Sequence, residues 1–405
     1  MRRVAITGLG VVSPIGNNVA DFWSSIAECR SGIGPITKVT GPDLRFGNCG
    51  EVRNFVAEDL FDDKLMMWLD PFSQYGVDAA NQALADSAIE FDDELRYRTG
   101  VVTGSCLGGK TSEEQSYFKL FAENNRRQPP TLIPKAMGNA VASQVSMLNG
   151  FTGPSFTTST ACSSSNHAIG QAFWMVRQGI LDVALAGGSE APLTYGNLLV
   201  WGGMRVVSTD TCRPFSKDRS GMILGEGGAM LVLEELEHAK ARGAKIYAEM
   251  VGFGMSADAH HLTMPLSAGA SRAMASAVAD GGLALEQVGY INAHGTATPA
   301  NDSNETRAIR ETFGKHADSL AVSSTKSLTG HSLGGAGAIE AATTILGLHN
   351  QVLPPTANYR EHDPECDLDV VPNASRPAEI DVALSNSFAF GGLNAVVAFR
   401  TWTGS

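Results

Sequence analysis

Two halves of this 405-residue sequence repeat the same order of predicted strands and helices. In the first half an apolar strand closed by a glycine turn, VAIT, is followed by a helix, a glycine-ended strand, a strand–turn–helix unit and a last strand. After residue 245 the order returns, from AEMVGFGMSADAHH to VALSNSFAFGGLNAVVAFR. Element order rather than residue identity carries this interpretation, which predicts an α/β fold with duplicated halves at residues 1–245 and 246–405.

Strands that alternate with helices predict two mostly parallel sheets, with helices between and around them. In such folds the chemistry gathers beyond the carboxyl ends of the strands. Three predicted loops at such positions carry reactive side chains: the turn at Cys162, the loop that contains His294, and the loop that contains His331. We therefore expect a functional site where the two halves meet.

A cysteine interrupts the stretch Pro154–Gly170, which reads PSFTTSTACSSSNHAIG. A β-branched run ends at Ala161, Cys162 follows, and a run of small residues then predicts a buried helix. At the start of a helix, unpaired N–H groups and the helix dipole favour a thiolate, which makes a cysteine nucleophilic. A lone cysteine is more often a structural core residue, so this hypothesis requires partner groups elsewhere in the chain.

Candidate partners lie in loops of the second half that are rich in small residues. His294 lies in NAHGTAT, and Lys326 and His331 lie in STKSLTGHSLGG at the start of a helix. A lone loop histidine is usually a surface residue, but two at matching positions indicate a site. Glu340, in an otherwise apolar helix, needs a buried partner, and Lys326, His331 or a cation are candidates. The glycine turn in NSFAFGGLN either closes a sheet or presents N–H groups to an acyl group on Cys162.

The composition excludes several classes of function. A formal net charge of −12 argues against binding to nucleic acid or to anionic membranes. No apolar run reaches the length that spans a bilayer, so we expect no membrane insertion. The six cysteines are scattered with no CxxC pair, which indicates neither a disulfide framework nor a zinc site and favours the reducing cytoplasm.

Four motifs in a consistent order together resemble one family. TACSSSNHAIG, INAHGTATPANDSNE, SSTKSLTGHSLGGAGAIE and NSFAFGGLNA are similar to the motifs of the β-ketoacyl-[acyl-carrier-protein] synthases. The resemblance is to the Cys-His-His condensing enzymes, nearest the elongating synthase II group and its nodulation-factor relatives. It implies a thiolase-like, five-layered αβαβα fold. The implied activity is that of an acyltransferase that elongates fatty acyl or polyketide-type chains, by decarboxylative Claisen condensation of malonyl-carrier protein with a cysteine-bound acyl group.

The resemblance also implies roles for residues at matching positions. Cys162 is the expected nucleophile, His294 and His331 are the expected donors to an enolate oxygen, and Lys326 is expected to orient them. The remaining implied roles are the N–H groups of Cys162 and Phe390 as an oxyanion hole, with Phe390 as a gate; Thr263, Thr296 and Thr298 on the pantetheine arm; Leu107 and Phe388 on the substrate; and Glu340, Asn292, Ser385 and Asn386 around a structural monovalent cation. No required cofactor and no catalytic metal are implied.

An acyl carrier protein is the implied partner. The basic residues that match docking positions of the family are Arg126, Arg127, Arg205 and Lys64. The sequence departs from the family beyond Lys64, because Met67 and Trp68 stand where further positive charge is usual. Exposed, these apolar side chains would mark a specialised carrier or another protein surface; buried, they would be core. The resemblance implies a homodimer paired through the strand before Cys162, with a heterodimer as the alternative.

Rival interpretations each conflict with a particular residue. A thiolase needs a second cysteine in the C-terminal glycine turn, where this chain has NSFAFGG, and a starter-type or chalcone-type synthase would carry asparagine in place of His331. A cysteine hydrolase gives no reason for two histidines together with the pantetheine threonines. A non-catalytic or weakly active chain-length partner in a ketosynthase heterodimer is the main alternative, but such partners usually lack the nucleophile that Cys162 supplies.

Overall fold

The computed structural model of the chain describes residues 1–404. Its strands are β1 (Val4–Val12), β2 (Ile33–Pro35), β3 (Asn48–Gly50), β4 (Thr99–Gly104), β5 (Ser155–Thr158), β6 (Val183–Glu190), β7 (Gly227–Glu235), β8 (Ala248–Ala257), β9 (Val288–Asn292), β10 (Ala321–Ser323), β11 (Val352–Leu353), β12 (Arg376–Pro377), β13 (Val382–Ala389) and β14 (Leu393–Thr401). Its α-helices are α1 (Val19–Ala27), α2 (Asp63–Met66), α3 (Pro71–Ser87), α4 (Asp93–Tyr97), α5 (Lys110–Phe121), α6 (Leu132–Ala136), α7 (Ala140–Asn149), α8 (Ser164–Arg177), α9 (Tyr195–Met204), α10 (Leu236–Ala241), α11 (Ser267–Asp280), α12 (Pro299–Phe313), α13 (Lys326–Thr329) and α14 (Ala336–Asn350).

The strand order of the main sheet shows the duplication directly. The first half runs β5-β4-β6-β7-β1 and the second half runs β10-β9-β13-β14-β8. In each half the first two pairings are parallel and the last two are antiparallel. The duplicated α/β design predicted from element order is therefore confirmed at the level of topology.

The prediction of two separate, mostly parallel sheets is wrong. The two halves form one ten-stranded mixed sheet, because β1 pairs with β8 in antiparallel fashion from Val4, opposite Met250, to Ile6, opposite Ala248. This pairing is short, and it uses the strand of each half that would otherwise be a free edge. Alternating strands and helices in the sequence do not reveal that each half ends in two antiparallel strands.

Helices separate the two halves of the sheet and cover its outer faces. α8 and α14 pack on each other and on strands of both halves, α3 covers β1, β6 and β7, and α11 covers β8 and β14. α14 is buried on every side from Ala336 to Leu348, which fits a helix enclosed between two sheet halves. The layers therefore follow the order αβαβα, and the five-layered, thiolase-like fold is confirmed.

Two local features of the structure differ from the sequence-based expectation. β1 does not end at the first glycines but continues through Gly8 and Gly10, where a Cβ atom would lie 2.2 Å from the Ala83 oxygen and 1.9 Å from the Ala79 oxygen. These glycines let β1 and α3 approach closely instead of forming a turn. The sequence patterns also do not predict α9, which buries only Leu198 and Gly202 and so shows no apolar periodicity.

No helix within residues 1–404 combines the length and the apolar character needed to cross a bilayer.

Candidate active site

Cys162 lies where the sequence places it, in a tight turn between β5 and α8. Ala161, directly before it, has a φ of 51°, a left-handed conformation that costs free energy for a residue other than glycine. The N–H of Ser164, the first residue of α8, donates to the carbonyl of Ala161 at 3.1 Å and closes the turn. Cys162 is 8% exposed, so the strained turn presents a nearly buried thiol.

A second turn brings a backbone donor to the same sulfur. The N–H groups of Cys162 and Phe390 both interact with the Cys162 thiol. Phe390 belongs to the turn between β13 and β14, where Gly391 and Gly392 have φ values of 85° and 67° that favour glycine. The N–H of Gly391 donates to the carbonyl of Leu262 at 2.7 Å, which holds the turn in place. Two N–H groups therefore converge beside the sulfur, as an oxyanion hole requires.

The two histidines predicted from the loops meet at the thiol. The side-chain ligand atoms of Cys162, His294 and His331 all lie within 4.8 Å of one another. The two imidazole rings are 5.4 Å apart between centroids and nearly perpendicular, and both are buried. His294 follows β9 in the second half, whereas Cys162 precedes α8 in the first, so the site forms where the halves meet.

Lys326 determines which nitrogen of His294 carries the proton. Its fully buried ammonium group donates to the carbonyl of His294 at 2.6 Å and lies 3.4 Å from His294 Nδ1. An ammonium group can only donate, so Nδ1 acts as the acceptor and the proton of the neutral ring is on Nε2. The same Nζ forms an ion pair with Glu340, which is itself buried on α14. Lys326 therefore contacts both His294 and Glu340, and of the three candidate partners for Glu340 it is the one that forms the ion pair.

The sequence predicts that the start of α8 favours a thiolate at Cys162, and the pKa of the thiol in the structure shifts in the opposite direction. Burial raises the pKa of the Cys162 thiol to about 11, although Lys326 and the two N–H groups act in the opposite direction. Burial, together with the charge of Lys326, lowers the pKa of both His294 and His331 well below the usual range. These shifts favour a thiol beside neutral imidazoles over the thiolate expected from the sequence. Desolvation of the sulfur outweighs the charge of Lys326 and the two N–H groups.

A cavity of about 120 Å³ gives access to the thiol. The pantetheine threonines predicted from the resemblance, Thr263, Thr296 and Thr298, all line it, and so do Phe388 and Phe390. The hydroxyl groups of Thr296 and Thr298 are 2.9 Å apart, and Thr298 also caps α12.

Leu107 lies on another side of the thiol. It does not line this cavity but packs against the apolar cluster that contains Cys162, Leu193 and Leu198.

Sequence reasoning missed several supporting residues. Glu305 accepts hydrogen bonds from the N–H groups of His294 at 2.9 Å and Gly295 at 2.8 Å, and so holds the histidine loop. Glu190, at the end of β6, accepts from the N–H groups of Cys106 and Leu107. The ring of Trp201 stacks on Phe390, with 6.1 Å between centroids. The carboxylates of PANDSNE were a usable signal for Glu305, whereas nothing local indicated Glu190 or Trp201.

The residues predicted around a cation present buried oxygen atoms. Within residues 1–404, Asn292 Oδ1, Glu340 Oε2, Ser385 Oγ and Asn386 Oδ1 are buried and have no hydrogen-bond partner. Ser385 on β13 lies opposite Asn292 on β9. Unsatisfied buried oxygens are costly, and a hard monovalent cation would satisfy them. The side chains therefore fit the predicted group.

The predicted docking residues lie on the surface. Arg126, Arg127, Arg205 and Lys64 are all exposed. Met67 and Trp68 are 54% and 40% exposed, so they are surface residues rather than core. The surface around Lys64 also carries the exposed carboxylates of Glu58, Asp59, Asp62 and Asp63. That surface is therefore apolar and acidic, and it suits an acidic partner less well than the three arginines do.

Acyl transfer to Cys162, followed by stabilisation of an enolate oxygen, is the chemistry that this arrangement supports. Such chemistry, on a duplicated αβαβα fold, is that of the condensing acyltransferases.

Comparison with known proteins agrees with this class. Family models described as the β-ketoacyl synthase N-terminal and C-terminal domains match residues 1–239 and 247–360. The chain belongs to the β-ketoacyl synthase family.

Relatives match this chain over nearly its whole length. Nodulation protein E of a Rhizobium strain is 46% identical over 98% of this chain and 99% of its own length. The 3-oxoacyl-[acyl-carrier-protein] synthase 2 of Synechocystis sp. is 45% identical over 99% and 98% of the two chains. Among solved structures, the ishigamide ketosynthase/chain length factor superimposes with a TM-score of 0.94 at 34% identity, covering 99% of both chains.

Proposed function

We propose that this chain is a β-ketoacyl-[acyl-carrier-protein] synthase that condenses a Cys162-bound acyl group with a malonyl group delivered by an acyl carrier protein. The observation that carries the proposal is the convergence of one thiol with two neutral imidazoles, all within 4.8 Å. The shared family and the name of the Synechocystis relative support the carrier-bound substrate. A chain-length partner without activity would have no use for a nucleophile facing both histidines.

In the first half-reaction Cys162 attacks the acyl thioester of the carrier. The thiol proton passes to the neutral imidazole of His331, since His294 already carries a proton on Nε2. The carbonyl oxygen of the tetrahedral intermediate accepts from the N–H groups of Cys162 and Phe390. The carbon–sulfur bond to pantetheine then breaks, and the leaving sulfur takes the proton from the imidazole. The lowered pKa of both histidines keeps a neutral base available for this transfer.

In the second half-reaction a malonyl thioester occupies the same cavity. Loss of its carboxylate as carbon dioxide leaves the electron pair of the broken carbon–carbon bond in an enolate. His294 donates from Nε2, as its contact with Lys326 requires, and His331 supplies the second donor to the enolate oxygen. The enolate carbon attacks the Cys162 thioester, a carbon–carbon bond forms, and the sulfur leaves and is reprotonated.

Replacing either histidine with alanine is expected to lower decarboxylation of malonyl-carrier protein by about 10²–10³-fold, since each removes one donor to the developing oxyanion. Acylation of Cys162 should persist in the His294 variant, because His331 remains to accept the thiol proton. In the parent, His294 already carries its proton on Nε2 and accepts from Lys326 at Nδ1. Carbon dioxide release and the intact mass of the acyl-enzyme measure the two steps separately. Replacement of the exposed His362 with alanine is the control, and equal losses in both steps for the His294 variant would contradict the assignment.

The carrier is proposed to dock near the mouth of the cavity. Thr263, Thr296 and Thr298 line the path that the pantetheine arm would follow to the sulfur. Arg205 lies beside Val206, which lines the same cavity, and its charge suits an acidic carrier. Arg126 and Arg127 are exposed in the loop after α5 and are proposed to take part in the same contact.

A homodimer paired through β5 is proposed. β5 is an edge strand of the ten-stranded sheet, and its residues are partly or fully exposed. An open edge with threonine-rich sequence suits antiparallel pairing with a second copy. Sedimentation of the purified chain by itself tests this against a requirement for a different second subunit.

A monovalent cation is proposed at Asn292, Glu340, Ser385 and Asn386, whose unpaired oxygens could hold it. When bound, it would supply positive charge that offsets these buried dipoles and the carboxylate. The six cysteines are free within residues 1–404, which supports placement in the reducing cytoplasm.

Replacing Leu107 with glycine is expected to raise turnover of acyl groups too long for the parent enzyme by roughly tenfold. The Leu107 side chain packs against the apolar cluster that contains Cys162, Leu193 and Leu198, so its removal would leave more room beside the sulfur for a long chain. The product profile with a series of acyl-carrier proteins measures the effect. Leu285 is partly buried against the core of the second half, so its replacement with glycine controls for lost stability. An unchanged profile in the Leu107 variant would contradict the assignment.

A further inference from the structure

A second cavity, of about 460 Å³, adjoins the apolar cluster that contains the nucleophile. Leu193 belongs to both, since it packs in the buried cluster that contains Cys162 and its side chain also lines this cavity. Leu107 packs against the same cluster. An acyl chain that extends from the sulfur past Leu107 and Leu193 would therefore enter this cavity with its far end.

The wall of this cavity is unusually polar for the end of a hydrocarbon pocket. Lys38 forms an ion pair with the buried Glu226, and Lys38 Nζ lies 3.1 Å from the hydroxyl group of Tyr75. On another part of the wall the Thr194 hydroxyl donates to Glu114 at 2.6 Å. All five residues line the cavity.

These groups discriminate between possible chain ends. A methyl end that enters the cavity displaces water from charged and polar groups and returns no hydrogen bond, which costs free energy. A hydroxyl or keto oxygen at the same place replaces the displaced water, since Lys38, which Tyr75 and Glu226 hold in place, can donate to it and the carboxylate of Glu226 can accept from a hydroxyl.

We infer that this enzyme prefers acyl groups that carry a hydroxyl or keto oxygen near the far end over saturated chains of the same length. The inference rests on the proposed condensing function and names the substrate class of that site. It concerns only chains long enough to pass Leu193, so short acyl groups should be used without regard to their ends.

Competition between two acyl-carrier series of increasing length, one methyl-terminated and one with a terminal hydroxyl, tests the inference. We expect equal kcat/KM values for short chains and a preference of about tenfold for the hydroxyl series once the chain reaches the cavity. Equal use at every length, or a preference for methyl ends in long chains, would overturn it.

Replacing Tyr75 with phenylalanine should reduce that preference several-fold and leave short-chain turnover intact. Tyr247→Phe is the matched control, because the Tyr247 hydroxyl also contacts a lysine and an acid, Lys245 and Asp86, each at 2.8 Å, but does not line this cavity. The control should keep the full preference, and equal effects of the two changes would overturn the inference.

Thr194→Val, on another part of the wall, provides a second variant if Tyr75→Phe unfolds, and it should also weaken the preference. Normal condensation of short chains without any hydroxyl preference would overturn the inference alone. Absence of condensation with every acyl group would overturn the proposed function and this inference together.

Discussion

Replacing Cys162 with alanine is expected to abolish acyl-enzyme formation and to lower condensation by at least about 10⁴-fold, because the acyl group then has no nucleophile to accept it. The intact mass after incubation with acyl-carrier protein should stay at that of the free chain. The turn itself should survive, because the bonds that close it are backbone ones, such as Ser164 N–H to Ala161.

Cys106 is the sharpest control for this experiment. It lies in the neighbouring glycine loop and packs against the same apolar cluster as Cys162. Burial raises its pKa well above the usual range, and Glu190 adds to the effect, so it should be a poor nucleophile. Cys106→Ala should therefore still acquire the acyl group. Acyl mass on the Cys162 variant would contradict the assignment, and prompt release of free acid by the parent would indicate a hydrolase.

Replacing Lys326 with methionine is expected to lower the free energy of unfolding by about 3–5 kcal/mol, since it leaves a buried carboxylate without its cation. Lys326 is fully buried, it is the ion-pair partner of Glu340, and Glu340 Oε2 already lacks a hydrogen bond within residues 1–404. The double variant Lys326→Met/Glu340→Gln should recover much of the loss, because the unpaired charge is then gone. Denaturant unfolding of the parent, both single variants and the double variant measures this coupling.

The pH dependence of the loss in unfolding free energy caused by Lys326→Met gives a second measurement. Burial raises the pKa of Glu340 to about 7 even with Lys326 present, above the 4.5 of a free carboxyl. A carboxyl with a raised folded pKa contributes most to stability when protonated at low pH, and this contribution is lost as the pH rises through the folded value.

The penalty of Lys326→Met should therefore be largest well above pH 7, shrink as the pH falls toward 7, and level off below it, where Glu340 is protonated with or without the lysine. Comparison of Lys326→Met with the double variant at each pH cancels the contribution of His294 and His331, since both variants lack the lysine charge that lowers the pKa of these histidines. A penalty that does not change with pH, or a double variant no more stable than the single one, would contradict the role of the buried charge.

Much of the site follows from local sequence. Cys162 at a strand–helix turn, His294 and His331 in glycine-rich loops and Lys326 before a helix are visible as motifs, and their matching positions in two repeated halves predict that they meet. The supporting groups are not visible in this way. Glu190 comes from β6 and Trp201 from α9, each distant in sequence from the residue that it contacts, Leu107 and Phe390 respectively.

The sequence by itself determined the duplicated α/β design, the family, and the cysteine and two histidines that the fold brings together, because these depend on periodicity and on short motifs that each lie within one element or loop. Only the tertiary structure decided that β1 and β8 join the halves into one sheet, that burial raises the pKa of the Cys162 thiol, and that a polar cavity adjoins Leu193. Strand pairing, the desolvation of a side chain and the shape of a cavity all depend on which distant segments pack together. No local pattern records those contacts.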